Sequence, residues 1–265
     1  MKTLFLLIFS ILVPAYGFSM GLSCDDPDVV FCLDINEGSG VAARDYGRIG
    51  LTGTLVGGPA WTLGSAATKQ LTAYSTTTFT AMPGYYVTFT RTAGEEIVCP
   101  ASAVLNFSGN KEFMTAITVK MDSMTGAVRT IWAYSDGSDS PSGGWQLRMD
   151  ADHTVNFGFI GIADNAFTTK LFDLNPHTLG VWWDGNGTML LFFDGKLDKT
   201  ITGATDIASV VGMINIAKRT NGGHGEWGGG IQRARVWRKA VPRDQAEAFF
   251  SAYHNLPLNV NQGTQ

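Results

Sequence analysis

Charge is scarce in this chain. Of its 265 residues only 16% are Asp, Glu, Lys or Arg, and the formal net charge is −4. The usual charged share is about 25%. No block of Lys or Arg occurs that could neutralise a run of phosphates, so nucleic acid is not an expected partner. Cysteine is nearly absent, with three residues, and neither a C-x-x-C nor an H-x-x-x-H spacing is present. A zinc-type ligand pattern is therefore missing. Past the first residues there is no apolar run of about 20, the length a membrane-spanning helix needs. The 32 glycines have no G-x-y period, which excludes collagen. A hydrophobic share of 45% excludes a solvating, disordered polymer.

What is present starts with an address. Residues 1–17 read MKTLFLLIFSILVPAYG: a positive Lys2, an apolar core over Leu4–Val13, Pro14, then small residues at Ala15 and Gly17. This is the pattern of a cleaved secretory signal, too short to span a bilayer. The expected product is secreted and extracellular, with no membrane span after cleavage. A short segment, 18–26, precedes a folded region over 27–256, and 257–265 is a polar tail. The G-x-S-x-G match over Gly17–Gly21 straddles the cleavage point and lacks the strand and helix that a hydrolase nucleophile needs.

Export allows the cysteines to pair. Cys32 lies inside the apolar run Val29–Leu33, as a buried thiol would, which leaves Cys24–Cys99 as the expected bridge.

From residue 29 onward, short β-type runs alternate with Gly, Asp, Ser and Asn turns. Expected strands cover 29–35, 51–56, 70–74, 85–90, 95–99, 114–121 and 128–134, then 145–150, 154–160, 167–173, 178–184, 188–194, 197–202, 213–217 and 231–237. In 114–121, Thr115, Ile117, Val119 and Met121 share one face, a period-2 pattern of half-buried antiparallel strands. Asp184-Gly185-Asn186-Gly187 and Asp194-Gly195 are hairpin signals. One helix is expected near the end. It opens at Val241-Pro242-Arg243-Asp244 and carries Ala246, Phe249, Phe250 and Tyr253 as an apolar stripe. The expected fold is all-β: an antiparallel jelly-roll sandwich with one short C-terminal helix.

Specific segments carry a resemblance. They are Val29–Ile35 with Asn36-Glu37-Gly38-Ser39-Gly40 and Ala43-Arg44-Asp45; Leu51-Thr52-Gly53-Thr54-Leu55; and Leu105–Gly109 leading into Phe113–Lys120. Further along come His177 with Leu179–Trp183 and the two Asp-Gly turns, then Ile231–Trp237 with Lys239-Ala240-Val241. In this order the chain resembles the laminin-G-like, concanavalin-A-like jelly-roll domains. The resemblance implies a recognition domain, and for calcium it points to Glu37 and Asp45 in the first loop. It departs at Gln232-Arg233, where the family carries acidic residues. No other cofactor is required.

Relatives of that fold include enzymes, so catalysis needs its own test. A retaining glycosidase needs two carboxylates about 5–5.5 Å apart. Glu95 and Glu96 are adjacent and face opposite ways, Asp150 and Asp152 read as a hairpin turn, and His153, His177, His224 and His254 form no triad. The chain is therefore expected not to be an enzyme. Binding has candidates: Trp227 and His224 in the glycine loop Asn221–Gly230, and Tyr134 and Trp145 flanking the loop between them, which could hold a glycan or Ca²⁺ or be a solvated hairpin. Trp227 either stacks on a ligand or folds back as a plug. Trp182 and Trp183 must face opposite sides, which could put one on a ligand face. Asn106-Phe107-Ser108 and Asn186-Gly187-Thr188 are N-glycosylation patterns. The expected function is recognition of a carbohydrate or cell-surface protein through end loops or the concave sheet. The alternatives are a structural subunit of an extracellular or viral surface assembly, and a divergent carbohydrate-active enzyme.

Overall fold

The computed structural model describes residues 22–35, 37–64, 84–91, 94–123, 127–136, 143–218 and 225–256. The signal segment 1–17, the expected strand 70–74, His224 and the tail 257–265 lie outside the described residues. In chain order the strands are β1 (Val29–Asp34), β2 (Ala42–Ala43), β3 (Gly53–Val56), β4 (Ala60–Gly64), β5 (Gly84–Phe89), β6 (Glu96–Ser102), β7 (Phe113–Met121), β8 (Arg129–Ser135) and β9 (Trp145–Met149). There follow β10 (Thr154–Phe159), β11 (Ala163–Lys170), β12 (His177–Trp183), β13 (Thr188–Phe193), β14 (Lys196–Thr202), β15 (Gly212–Ile216), β16 (Gly225–Glu226) and β17 (Gly229–Trp237), then helix α1 (Ala246–His254).

They form two sheets. The first has the order β14-β13-β12-β7-β17-β5-β4, with β1 also paired to β17; the second runs β11-β10-β9-β8-β15-β6-β3-β2, with β16 on β8. Every pair is antiparallel except the two-residue β16–β8 contact. The sandwich and its C-terminal helix match the expected fold class.

Alternation places each side chain. In β7, Phe113, Ile117, Val119 and Met121 join the core between the sheets, while Met114 and Ala116 face outward under α1. In β12, Trp183 points into the core and Trp182 points out. Trp182 is not on a ligand face, because α1 and its approach cover it and its indole N–H donates to the Val241 carbonyl at 2.7 Å. Helix α1 buries the expected stripe of Ala246, Phe249, Phe250 and Tyr253. Phe250 stacks on Phe192 at 4.3 Å, and Trp237 meets Phe249 and Tyr253 edge-on. Gly180 in β12 makes this close approach possible: a Cβ there would lie 2.5 Å from the Phe250 ring. The turn from β13 to β14 holds Asp194 and Gly195 at φ 50° and 77°, the left-handed pair that a tight hairpin requires.

Two arginines on β17 tie the first and last described segments to the outer face of the first sheet. Arg233 donates to the carbonyls of Tyr253 and Leu256 at 3.3 and 3.2 Å, where a cation also meets the negative end of the helix. Arg235 donates to the Leu22 carbonyl and to both oxygens of Asp34 at 2.8 Å. The Tyr253 ring lies under both guanidinium groups. At the open edge, Asp198 of β14 accepts from the Thr169 amide of β11 at 2.9 Å, stapling one sheet to the other.

The disulfide differs from expectation. Cys24 bonds Cys32, with Cα atoms 5.7 Å apart, and Cys99 is a buried free thiol. The reason is facial. Cys32 projects from β1 to the outer, helix-covered side, where Cys24 also packs, whereas Cys99 projects from β6 into the core between the sheets. A Cys24–Cys99 bridge would have to pass through a sheet.

Candidate functional site

The aromatic residues expected to meet a ligand are core residues. Tyr134 and Trp145 pair directly across β8 and β9, and both point inward. Trp145 packs edge-on against Trp132 at 4.9 Å, and the Tyr134 hydroxyl donates within reach of the Ser102 and Val210 carbonyls at 2.8 and 3.0 Å. The period of 2 that made these runs strands also turned both rings away from solvent. Trp227 is fully buried in the same core, and its amide donates to the Ala217 carbonyl at 2.6 Å. Of the two roles open to it, plug and platform, the structure shows the plug.

The candidate calcium ligands are engaged by the protein itself. Asp45 accepts backbone amides from Cys32, Gly47 and Leu51 at 2.8, 2.7 and 2.6 Å. Burial raises its carboxyl above the ordinary value, and the three amides pull the other way. Glu37 accepts the Arg44 amide at 2.8 Å. Asp45 thus folds the first loop around donors, which is the opposite of the oxygen cluster that a hard cation wants.

The carboxylates weighed for catalysis are likewise committed. Asp150 accepts from Arg148 Nε at 3.2 Å and Asn156 Nδ2 at 2.8 Å. Asp152 pairs with Lys170 Nζ at 2.6 Å and takes the Thr154 amide and hydroxyl. Those donors, Lys170 first, hold the Asp152 carboxyl well below the usual carboxylate range, where a general acid needs the reverse. Glu96 accepts from Asn215 Nδ2 at 3.0 Å, and Glu95 from the Thr90 amide. His177 is a structural strand residue, held between Asp194 and Asp173 at 2.8 and 2.9 Å.

A concave feature lies at one end of the first sheet. In register, Phe113 of β7 faces Trp183 of β12, and Met114 faces Trp237 of β17. The start of β7 therefore lies beside the exits of β12 and β17. The segments just beyond these ends surround an open groove of about 650 Å³. Its walls carry the amides of Asn106, Asn110 and Asn186, the carboxylates of Glu112 and Asp184, and the cations of Lys111, Arg238 and Lys239. Ala103, Val104 and Phe107 supply the apolar part.

Turn chemistry fixes these groups. Asp184 Oδ1 accepts the Asn186 and Thr188 amides at 2.7 and 2.9 Å, setting the hairpin tip. Asp206 accepts the Gly109 and Asn110 amides at 2.9 and 3.0 Å. Gly185 lies against the Asn110 carbonyl, where a Cβ would come within 2.3 Å. Arg238 pairs with Asp28 at 3.0 Å, while Glu112 and Lys239 are exposed. In the sequence the groove was marked only piecewise, by its sequons and the Asp184-Gly185 turn. Lys111, Glu112 and Arg238 carried no signal, because nothing local tells that three strand ends converge.

No protein-family model matches the sequence. No curated protein matches it either. The fold does have solved counterparts. Trypanosoma rangeli sialidase in complex with sialic acid superposes with a TM-score of 0.57 at 10% identity, over 87% of this chain and 34% of that one. The Botulinum neurotoxin serotype G binding domain gives 0.56 at 11%, over 84% and 50%. The binding domain of Paraclostridial Mosquitocidal Protein 1 gives 0.59 at 10%, over 86% and 53%. The chain thus spans between a third and about half of the length of these proteins. The architecture they share is an antiparallel jelly-roll β-sandwich.

Proposed function

We propose that this chain is an exported, non-enzymatic recognition domain that binds carbohydrate in the end groove. The groove carries the reading. Its volume of about 650 Å³ falls within the roughly 300–1,000 Å³ of small-molecule sites. Its walls mix amides, carboxylates and ammonium groups, which together donate to and accept from the hydroxyls of one or two sugar rings. The fold supports the reading at a coarser level, through its likeness to a sialidase and to toxin binding domains. The carboxylates weighed for catalysis are engaged in turns, which favours binding over turnover. Export rests on the N-terminal signal pattern.

The test is a glycan array followed by calorimetry on the best hit, using the wild type and the double variant Glu112→Ala, Lys239→Ala. Both side chains are exposed, so the melting temperature should stay within about 1–2 °C, consistent with surface changes of about 0.5 kcal/mol or less. Affinity should fall at least tenfold, the loss of one or two net hydrogen bonds to charged groups at about 1.5–3 kcal/mol each. Unchanged affinity in the variant would move the site elsewhere. Turnover of an oligosaccharide would overturn the non-enzymatic reading.

A further inference from the structure

The two N-glycosylation patterns are far apart in sequence, yet Asn106 and Asn186 line the same groove. Their surroundings differ. Asn186 sits exposed at the tip of the β12–β13 hairpin, and its Nδ2 donates only locally, to the Asp184 carbonyl at 3.2 Å. The hydroxyl-bearing residue of its pattern, Thr188, is half-exposed where β13 begins. Asn106 is held on several sides. Its Nδ2 donates to Ser209 Oγ at 2.8 Å, its Oδ1 accepts the Ser108 amide at 3.2 Å, and its carbonyl accepts from Lys111 Nζ at 3.2 Å. Between Asn106 and Ser108, Phe107 is buried and stacks on Phe113 at 4.7 Å. A sugar on Asn106 would replace one Nδ2 hydrogen of a half-buried side chain pinned beside Ser209 and the buried Phe107. One on Asn186 leaves the hairpin intact and projects from its tip.

We propose that Asn186 is an N-glycan acceptor, that Asn106 is largely not, and that the attached glycan stands at the mouth of the groove. The proposal rests on the export reading, since the chemistry belongs to the secretory pathway. The donor is a polyprenyl-diphosphate-linked oligosaccharide handled by the host's transferase. The Asn186 Nδ2–C1 bond forms as the C1–O bond breaks, the lipid diphosphate leaves with the electron pair, and the amide gives up one proton. Lys239 and Asn186 line the same groove, so the glycan restricts access to the lysine.

The experiment secretes the full chain from a eukaryotic cell behind a foreign cleavable signal and maps occupied asparagines by glycopeptide mass spectrometry. Asn186 is expected to be occupied in most molecules and Asn106 in a minor fraction. Thr188→Ala should remove the Asn186 glycan, and enzymatic deglycosylation of the wild type should raise Lys239 labelling by an amine reagent at least twofold. A secreted chain bare at Asn186 overturns the proposal. Equal occupancy at Asn106 overturns the selectivity, and unchanged Lys239 labelling overturns the placement. A parallel culture carrying only the chain's own N-terminus tests export by itself. Retention there would sink the export reading and leave the mapping result standing.

Discussion

Replacing Trp227 with alanine separates a core plug from a ligand platform. The indole is fully buried among the core residues of both sheets. Truncating a buried tryptophan costs about 3–5 kcal/mol, as lost transfer energy plus an incompletely closed cavity. For a domain of roughly 150–250 residues each kcal/mol moves the melting temperature by about 2–4 °C, so a fall of roughly 6–20 °C is expected. Trp227→Phe calibrates the result. It keeps most of the ring and removes an indole N–H that has no hydrogen-bond partner among the described residues. Burying such a group costs about 1–3 kcal/mol, so phenylalanine should lose less than half of what alanine loses. Calorimetric melting and guanidinium denaturation read the stability, and titration with an array hit reads binding to the folded fraction. An alanine variant that melts within 2 °C of the wild type but no longer binds would refute the core placement.

Further outcomes follow from the cysteines and the histidines. Non-reducing peptide mapping should find Cys24 joined to Cys32 and Cys99 free. Cys24→Ser should cost about 2–3 kcal/mol by the loop-entropy estimate for this short loop, and Cys99 should resist alkylation until unfolding because burial raises its thiol pKa well above the ordinary value. A Cys99-containing bridge would contradict the fold's two-faced first sheet. His177 provides a pH test. Burial lowers its pKa, but hydrogen bonds and charge from Asp194, then Asp173, outweigh this and leave it above the ordinary value. A raised histidine contributes stability that is fully present below the unfolded value near 6.5 and is lost as pH climbs through the folded one. His254 also faces Asp194, at 3.7 Å, and is shifted the other way by burial, so the comparison must isolate His177. The stability gap between wild type and His177→Gln should be larger at pH 6 than at pH 9, by urea titration; a gap that widens with pH would contradict the assignment.

Much of the fold was legible because alternation and turn chemistry are local. The run at 114–121 revealed its core face, the Asp-Gly turns fell where β12, β13 and β14 connect, and the helix stripe at 246–253 is the one observed. Where the reading slipped, local signal was weak. Strand β11 covers 163–170 rather than 167–173, because Ala163-Asp164-Asn165-Ala166 has little β propensity and is extended by its partner β10. The short β2 and β16 exist only as pairings. The site was least legible. An aromatic pair flanking a Ser/Asp/Gly turn read as a ligand site, yet strand pairing drew Tyr134 and Trp145 inward, and of the two roles left open for Trp227 the buried plug is the one observed. The groove depends on strand order across the sheet, which no stretch of sequence encodes by itself.

The arginine pair on β17 has a consequence for connectivity. Arg233 and Arg235 stand two residues apart on one strand face, about 7 Å along it, and they hold the carbonyls of Leu256 and Leu22. The first and last described segments therefore leave the sandwich side by side. A short bridge from residue 256 to residue 22 could make the backbone circular, with new ends cut at a hairpin tip such as Asp194-Gly195. For the same reason the whole sandwich could be spliced into a surface loop of another protein, entering and leaving through one doorway while the rest of its surface stays open to a partner.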